Sequence, residues 1–202
     1  MSAQHVDTPA METAYSPDLP MREARRIYFD RYGFINGGYD ERWVKLKAGP
    51  IPIYFPNIPS RVVAAQYHDL HHVLTEYTAT WIGEAEIGAW EVASGCRHHW
   101  PAWILNLSAM GVGMAIAPGR TYRAFIRGRS CGNLYALPFD DMLLRATVGS
   151  LRMQLGLNRS AVRSSPGSIA SFVLWTFIAV IITLFPLLVV ITSGMLLAQA
   201  LG

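Results

Sequence analysis

Charge is what this sequence has too little of, and the shortfall is local. Only 15% of its 202 residues are Asp, Glu, Lys or Arg, against about 25% in an average soluble domain, and the mean hydropathy is +0.23. All 17 Lys and Arg and all 14 Asp and Glu fall at or before Arg163, so Ser164 to Gly202 is a run of 39 residues without one formal side-chain charge. That excludes a protein soluble along its whole length. Cysteine is scarce too. Cys96 and Cys131 are far apart and form no CxxC pair, which excludes a zinc ribbon or a disulfide framework and leaves two buried thiols in a reducing compartment. A net charge of +3 with no basic run interleaved with aromatics gives no footprint for nucleic acid. Residues 1–20 lack an apolar h-region and carry Asp and Glu, so they read as a flexible cytoplasmic lead rather than a signal peptide.

The remainder divides into a domain over residues 21–160 and an anchor over 168–197. Met21 to Tyr32 is expected to be a short basic and aromatic helix ending at Gly33. The four prolines of Ala48 to Pro59 exclude a helix and favour an extended packed loop. Two helices follow, Arg61 to about Tyr77 and Trp81 to Ser94, the second ending at Gly95, and they are expected to form a helical hairpin. Pro101 to Ala117 is uncharged and rich in small residues, the length of a buried core helix or a lipid-facing wall. A basic helix from about Arg120 to Arg129 comes next. A last helix starts at Pro138 with Asp140 and Asp141 beside it and runs to about Leu155. The expected fold is therefore all-α, a compact helical domain with a helical-hairpin metal site and one C-terminal transmembrane helix.

Ser168 to Leu197 is about 30 apolar residues where roughly 20 cross a bilayer, and Pro186 lies within it. Arg152, Arg159 and Arg163 precede the tail and no charge follows it, so the positive-inside rule puts the domain in the cytoplasm, as a single-pass protein of a bacterial inner membrane. A chain ending near Arg163 is expected to keep its fold and its metal while losing the membrane.

Five of the six histidines lie between positions 68 and 99, three of them in His68-Asp69-Leu70-His71-His72. On a helix His68 and His72 share a face, and Asp69 is three residues from His72, so two imidazoles and a carboxylate can converge. A cation there needs a further anionic ligand, and Glu84 on the returning helix is best placed by spacing. Glu76, Glu86 and Glu91 compete, with Glu91 placed to hold the far nitrogen of a histidine. His98 and His99, adjacent after the Gly95 break, cannot both reach one ion. Such a set of N and O donors suits zinc, iron or manganese, and redox chemistry would demand iron or manganese.

Three other histidine-rich designs do not fit. Membrane desaturases need several histidine boxes and this chain has one; His-Asp phosphohydrolases need an upstream histidine, and only His5 precedes the motif; bundle-type di-iron sites need a repeated ExxH, which is absent.

His68-Asp69-x-x-His72, then eleven residues, then Glu84 resembles the HDxxH-x11-E signature of the Coq4 family of ubiquinone-biosynthesis proteins. The run HDLHHVLTEYTATWIGEAEIGAWEVASG, with Gly83-Glu84 in place, and the stretch from Tyr122 to Leu157 are similar to the family's helix pair and closing helices. The resemblance covers about Arg61 to Leu157. It implies an all-helical fold and a divalent metal held by His68, Asp69, His72 and Glu84, which would be both the metal ligands and the catalytic residues. It further implies a prenylated aromatic acid as substrate, with oxidative removal of the ring C1 carboxylate and its replacement by a hydroxyl. Expected partners are the membrane, that lipid, other quinone-biosynthesis proteins and further copies of the chain. Residues 101–117 would line the prenyl groove, and Arg123, Arg127 and Arg129 would steer the acidic head. The alternative is a non-catalytic lipid- or quinone-binding scaffold with a structural metal.

Overall fold

A computed structural model describes residues 15–48, 51–158 and 164–201. The fold is all-α: eight helices among the described residues, with one two-stranded hairpin. The helices are α1 Met21–Tyr32, α2 Pro59–Thr75, α3 Trp81–Ser94, α4 Trp100–Ile116, α5 Pro118–Gly128, α6 Asp141–Arg145, α7 Val148–Gln154 and α8 Pro166–Leu201. Their ends follow local chemistry. Gly33 closes α1 in the left-handed region at φ 69°, where a residue without Cβ is unstrained. The Thr80 hydroxyl accepts from the Gly83 N–H to start α3.

The core gathers Met21 and Tyr28 of α1, Leu70 and Leu74 of α2, Trp90 of α3, Met110 of α4 and Phe125 of α5, all buried. α3 lies close against α4 and α5 because small residues face each other there. A Cβ on Gly88 would stand 2.9 Å from the Asn106 carbonyl oxygen, and one on Gly128 would collide with that of Trp90. The two arms of the α2–α3 hairpin stand further apart, spaced by the imidazoles and carboxylates between them.

Three expectations are corrected. The proline-rich loop is in part a hairpin, with β1 Trp43–Ala48 antiparallel to β2 Ile51–Pro56. Pro52 and Pro56 are tolerated because a two-stranded sheet leaves every residue on an edge. The last domain helix is broken into α6 and α7 because residues 17–20 lie across it. Val148 N–H donates to the Leu19 carbonyl, Gly149 N–H to Pro17, and the Ala146 carbonyl accepts from Met21. The same contacts, with buried Tyr15, make residues 15–20 part of the packed body; the rest of the expected flexible lead lies outside the described residues.

α8 is one helix of 36 residues, running through Pro186 and about 54 Å long at 1.5 Å per residue. Its segment Pro166–Pro186 is long and apolar enough to cross a membrane. It also packs on α4 and α5 of the domain. Trp175 stacks on Trp103 of α4 with centroids 5.1 Å apart, Phe172 meets Tyr122 and Phe125 edge-on, and Ala179 is fully buried. Gly111 of α4 lies so near that a Cβ there would strike Thr183 and the Ala179 carbonyl.

Gly111→Val should therefore cost about 1–3 kcal/mol by overpacking, seen as a lowered Tm in detergent. Ending the chain at Arg163 should lower it further, since Trp103 and Gly111 lose their covering. An unchanged Tm after truncation would mean that α8 does not support the domain.

Candidate metal centre

One helical turn separates His68 and His72 on α2, and their Nε2 atoms converge to 3.1 Å. α3 brings the third group. Gly83 permits the tight turn before it, because any Cβ there would collide with the Thr78 carbonyl, and Glu84 follows directly. Its Oε2 lies 3.3 Å from His68 Nε2 and its Oε1 3.3 Å from His72 Nε2. The three donors lie within 4.8 Å of one another.

The hydrogen bonds on the far side of each ring decide what these nitrogens offer. His68 Nδ1 donates to Glu91 Oε1 at 2.9 Å, and His72 Nδ1 donates to the Tyr77 carbonyl at 2.8 Å. Both acceptors lack a proton to give, so each Nδ1 carries the hydrogen, and a ring in its neutral form offers its Nε2 lone pair inward. Two lone pairs and a carboxylate thus face one another. A proton or a metal ion can bridge them, and an ion roughly 2.0 Å from each at tetrahedral angles puts its ligands about 3.3 Å apart. The donor set and its spacing fit a divalent zinc, iron or manganese ion.

Glu91 anchors this arrangement. It is fully buried, and its carboxylate also accepts from His71 Nδ1 at 2.8 Å, Tyr135 Oη at 2.6 Å and Asn106 Nδ2. His71 is in turn neutral: its Nε2 accepts from the Leu134 N–H at 2.9 Å, and its pKa is lowered by burial despite Glu91. Tyr28 stacks on the His72 ring, centroids 5.2 Å apart. Side-chain exposure is confined to the triad's outer side, 24% at His68 and 39% at Glu84. Three protein ligands on that side leave room for a further one, the pattern of a reactive rather than a closed site.

In the ion-free protein a proton takes the cation's place. Burial opposes charge on His68, but Glu91 and Glu84 outweigh it and lift the pKa well above 6.5. Burial likewise opposes charge on Glu84, yet His72 and His68 hold it well below the ordinary carboxylate range.

Asp69 stands beside the triad and outside it. Its Oδ2 accepts from the Tyr39 hydroxyl at 2.5 Å, and burial raises its pKa. The competing acids go elsewhere. Glu76 pairs with Arg152 at 2.8 Å and Glu86 with Arg120 at 2.7 Å. His99 packs between Tyr67 and Tyr135, and His98 is exposed. Arg127 donates to the Thr75 carbonyl and lies over Tyr77, while Arg123 and Arg129 are exposed. Asn106, Tyr135 and Tyr39 carry no motif that spacing would single out. No protein-family model, curated protein or solved structure matches the chain.

Glu91→Gln should weaken zinc binding about 10–100-fold with the ligands themselves intact, as read by competition with a chromophoric chelator. pH separates the two cations. The raised His68 pKa stabilises the ion-free protein fully below 6.5, and this is lost as pH rises through the raised value. Ion-free Tm should therefore fall over that window, whereas zinc affinity should rise because binding displaces the proton. A zinc affinity independent of pH there would contradict the assignment.

Proposed function

We propose that the chain is a membrane-associated, metal-dependent enzyme that acts on a prenylated aromatic acid, as its resemblance to the Coq4 family implies. The observation that supports this most is the convergence of the His68 and His72 Nε2 atoms and the Glu84 carboxylate on the solvent-reached side of a buried network. A purely structural ion would favour a closed set of four ligands, so the scaffold reading has less support.

His68, His72 and Glu84 would hold the ion. When bound, it supplies Lewis acidity to a carboxylate or phenolate oxygen and, if iron or manganese, a redox couple. The rest falls to the chain's own groups. Glu91 keeps the His68 ring oriented through Nδ1, and Tyr28 keeps that of His72. Asp69 keeps one oxygen on Tyr39, and its raised pKa suits it to exchange a proton at Oδ1. Replacement of a ring carboxylate by hydroxyl releases carbon dioxide and adds one oxygen atom. This is a two-electron oxidation, balanced when water supplies the added oxygen and dioxygen takes up the two electrons and two protons to leave as hydrogen peroxide.

α8 supplies the membrane. Its apolar span, with Arg152, Arg159 and Arg163 before it and no charge after, supports a domain on the cytoplasmic face of a bacterial inner membrane. A prenyl tail lies in the same bilayer, and the exposed Ile104, Leu105 and Ile116 of α4 offer it an apolar surface.

The test is the lipid profile of a deletion strain complemented with wild-type chain or with His72→Ala. The deletion and His72→Ala should both accumulate a carboxylated prenyl phenol and lose quinone; His98→Ala should restore it. An unchanged quinone pool in the deletion strain would sink the reading.

A further inference from the structure

A cleft of about 810 Å³ opens between α1, α2 and α6, beside the metal centre, a size typical of small-molecule sites. Val62 and Gln66 form its α2 wall. Asp69 continues that same face of α2 at i+7 and i+3, so it stands between the cleft and the histidines. Tyr39, which holds Asp69, is part of the cleft's lining.

Four arginines reach this cleft, and three are already neutralised. Arg22 pairs with Asp141 at 2.6 Å, Arg145 with Asp141 at 3.6 Å, and Arg26 with Glu23 at 3.4 Å and Asp30 at 3.1 Å. Arg25 differs. Among the described residues it makes no ion pair; its guanidinium sits 5.8 Å from the Phe29 ring centroid and 5.9 Å from those of Tyr39 and Phe139. Three aromatic rings hold the cation in place without discharging it. Of the two carboxylates lining the cleft, Glu23 is engaged by Arg26 and Asp40 is exposed to solvent.

A half-buried guanidinium with its planar fork fixed and no carboxylate to fill it is built for a planar or tetrahedral oxyanion. We propose that this cleft is a binding site for a small acidic ligand, in which Arg25 takes a carboxylate or phosphate oxyanion and the surrounding rings take its aromatic or apolar body. The site is separate from the metal ligands and operates without the ion. Tyr39 both borders Arg25 and donates to Asp69, so an anion bound here lies near the residue beside the metal centre.

The experiment is calorimetric titration of the full chain in detergent with chelator present, using benzoate, inorganic phosphate and uncharged benzamide. Saturable binding of one benzoate or one phosphate per chain is expected, and whichever is tighter names the class. Benzamide should not bind. Arg25→Gln should weaken binding at least tenfold, and Arg97→Gln, at an exposed cation outside the cleft, should leave it unchanged. Gln66→Glu, which places a like charge in the opposite wall, should also weaken it and decides the matter if Arg25→Gln does not fold. The proposal is overturned if neither anion binds saturably without metal, if benzamide binds as well as benzoate, or if the Arg25 and Gln66 variants keep wild-type affinity.

Discussion

A single carboxylate with no exposure to solvent, that of Glu91, sets the terms for everything around it. Burying a charge is costly unless it is fully hydrogen-bonded, and Glu91 meets this requirement with four donors from three places. His68 and His71 come from α2, Asn106 from α4 and Tyr135 from the short turn at Leu134–Ala136. Each element that contributes a donor is thereby fixed relative to α3. The direction of each bond matters as much as its presence. Because the Glu91 carboxylate only accepts, a neutral His68 must present its hydrogen on Nδ1 and its lone pair on Nε2, toward Glu84 and His72. The orientation of the outer triad is thus a consequence of a buried charge that lies outside it.

A second set of contacts positions the end of α2, where Glu76 adopts φ 66°, in the left-handed region unusual for a residue with a side chain. Arg152 donates to the Val73 and Leu74 carbonyls and pairs with the Glu76 side chain; Arg127 donates to the Thr75 carbonyl. Cations at the last carbonyls of a helix are favoured by its dipole. Here they come from α7 and α5, so the closing helices of the domain brace the turn that delivers Tyr77 to His72 and Glu84 to the triad. α8 braces α4 in the same way. The metal centre, the core and the apolar tail are parts of one packed unit.

Much of this was legible in the residues, for physical reasons that differ by position. α1 and α3 match their expected limits because Gly33, Thr80 and Gly95 punctuate the chain locally. The convergence of His68, His72 and Glu84 follows from helical periodicity and a turn of fixed length. That Glu91 holds the far nitrogen of a histidine followed from the same reasoning; which histidines, His68 and His71, did not. What spacing did not carry is set by distant chain. Asp69 shares its helix with the ligands, yet Tyr39, thirty residues earlier, takes its carboxylate. The break between α6 and α7 is made by the backbone of residues 17–19. The pairing of Lys47 with Pro52 and Trp43 with Pro56 runs against the usual meaning of proline, and only the absence of a third strand on the described sheet makes it permissible. Arg127, expected to steer an acidic head, donates instead to the last turn of α2.

The central claim is that His68, His72 and Glu84 together hold one divalent ion with a position left open. X-ray absorption spectroscopy of the full-length protein loaded with zinc tests it directly. The account predicts one ion per chain, two imidazole nitrogens and carboxylate oxygen at about 2.0–2.1 Å, and at least one further light ligand from solvent. A chain that retains no ion after dialysis, or an ion whose spectrum lacks imidazole scattering, would contradict it.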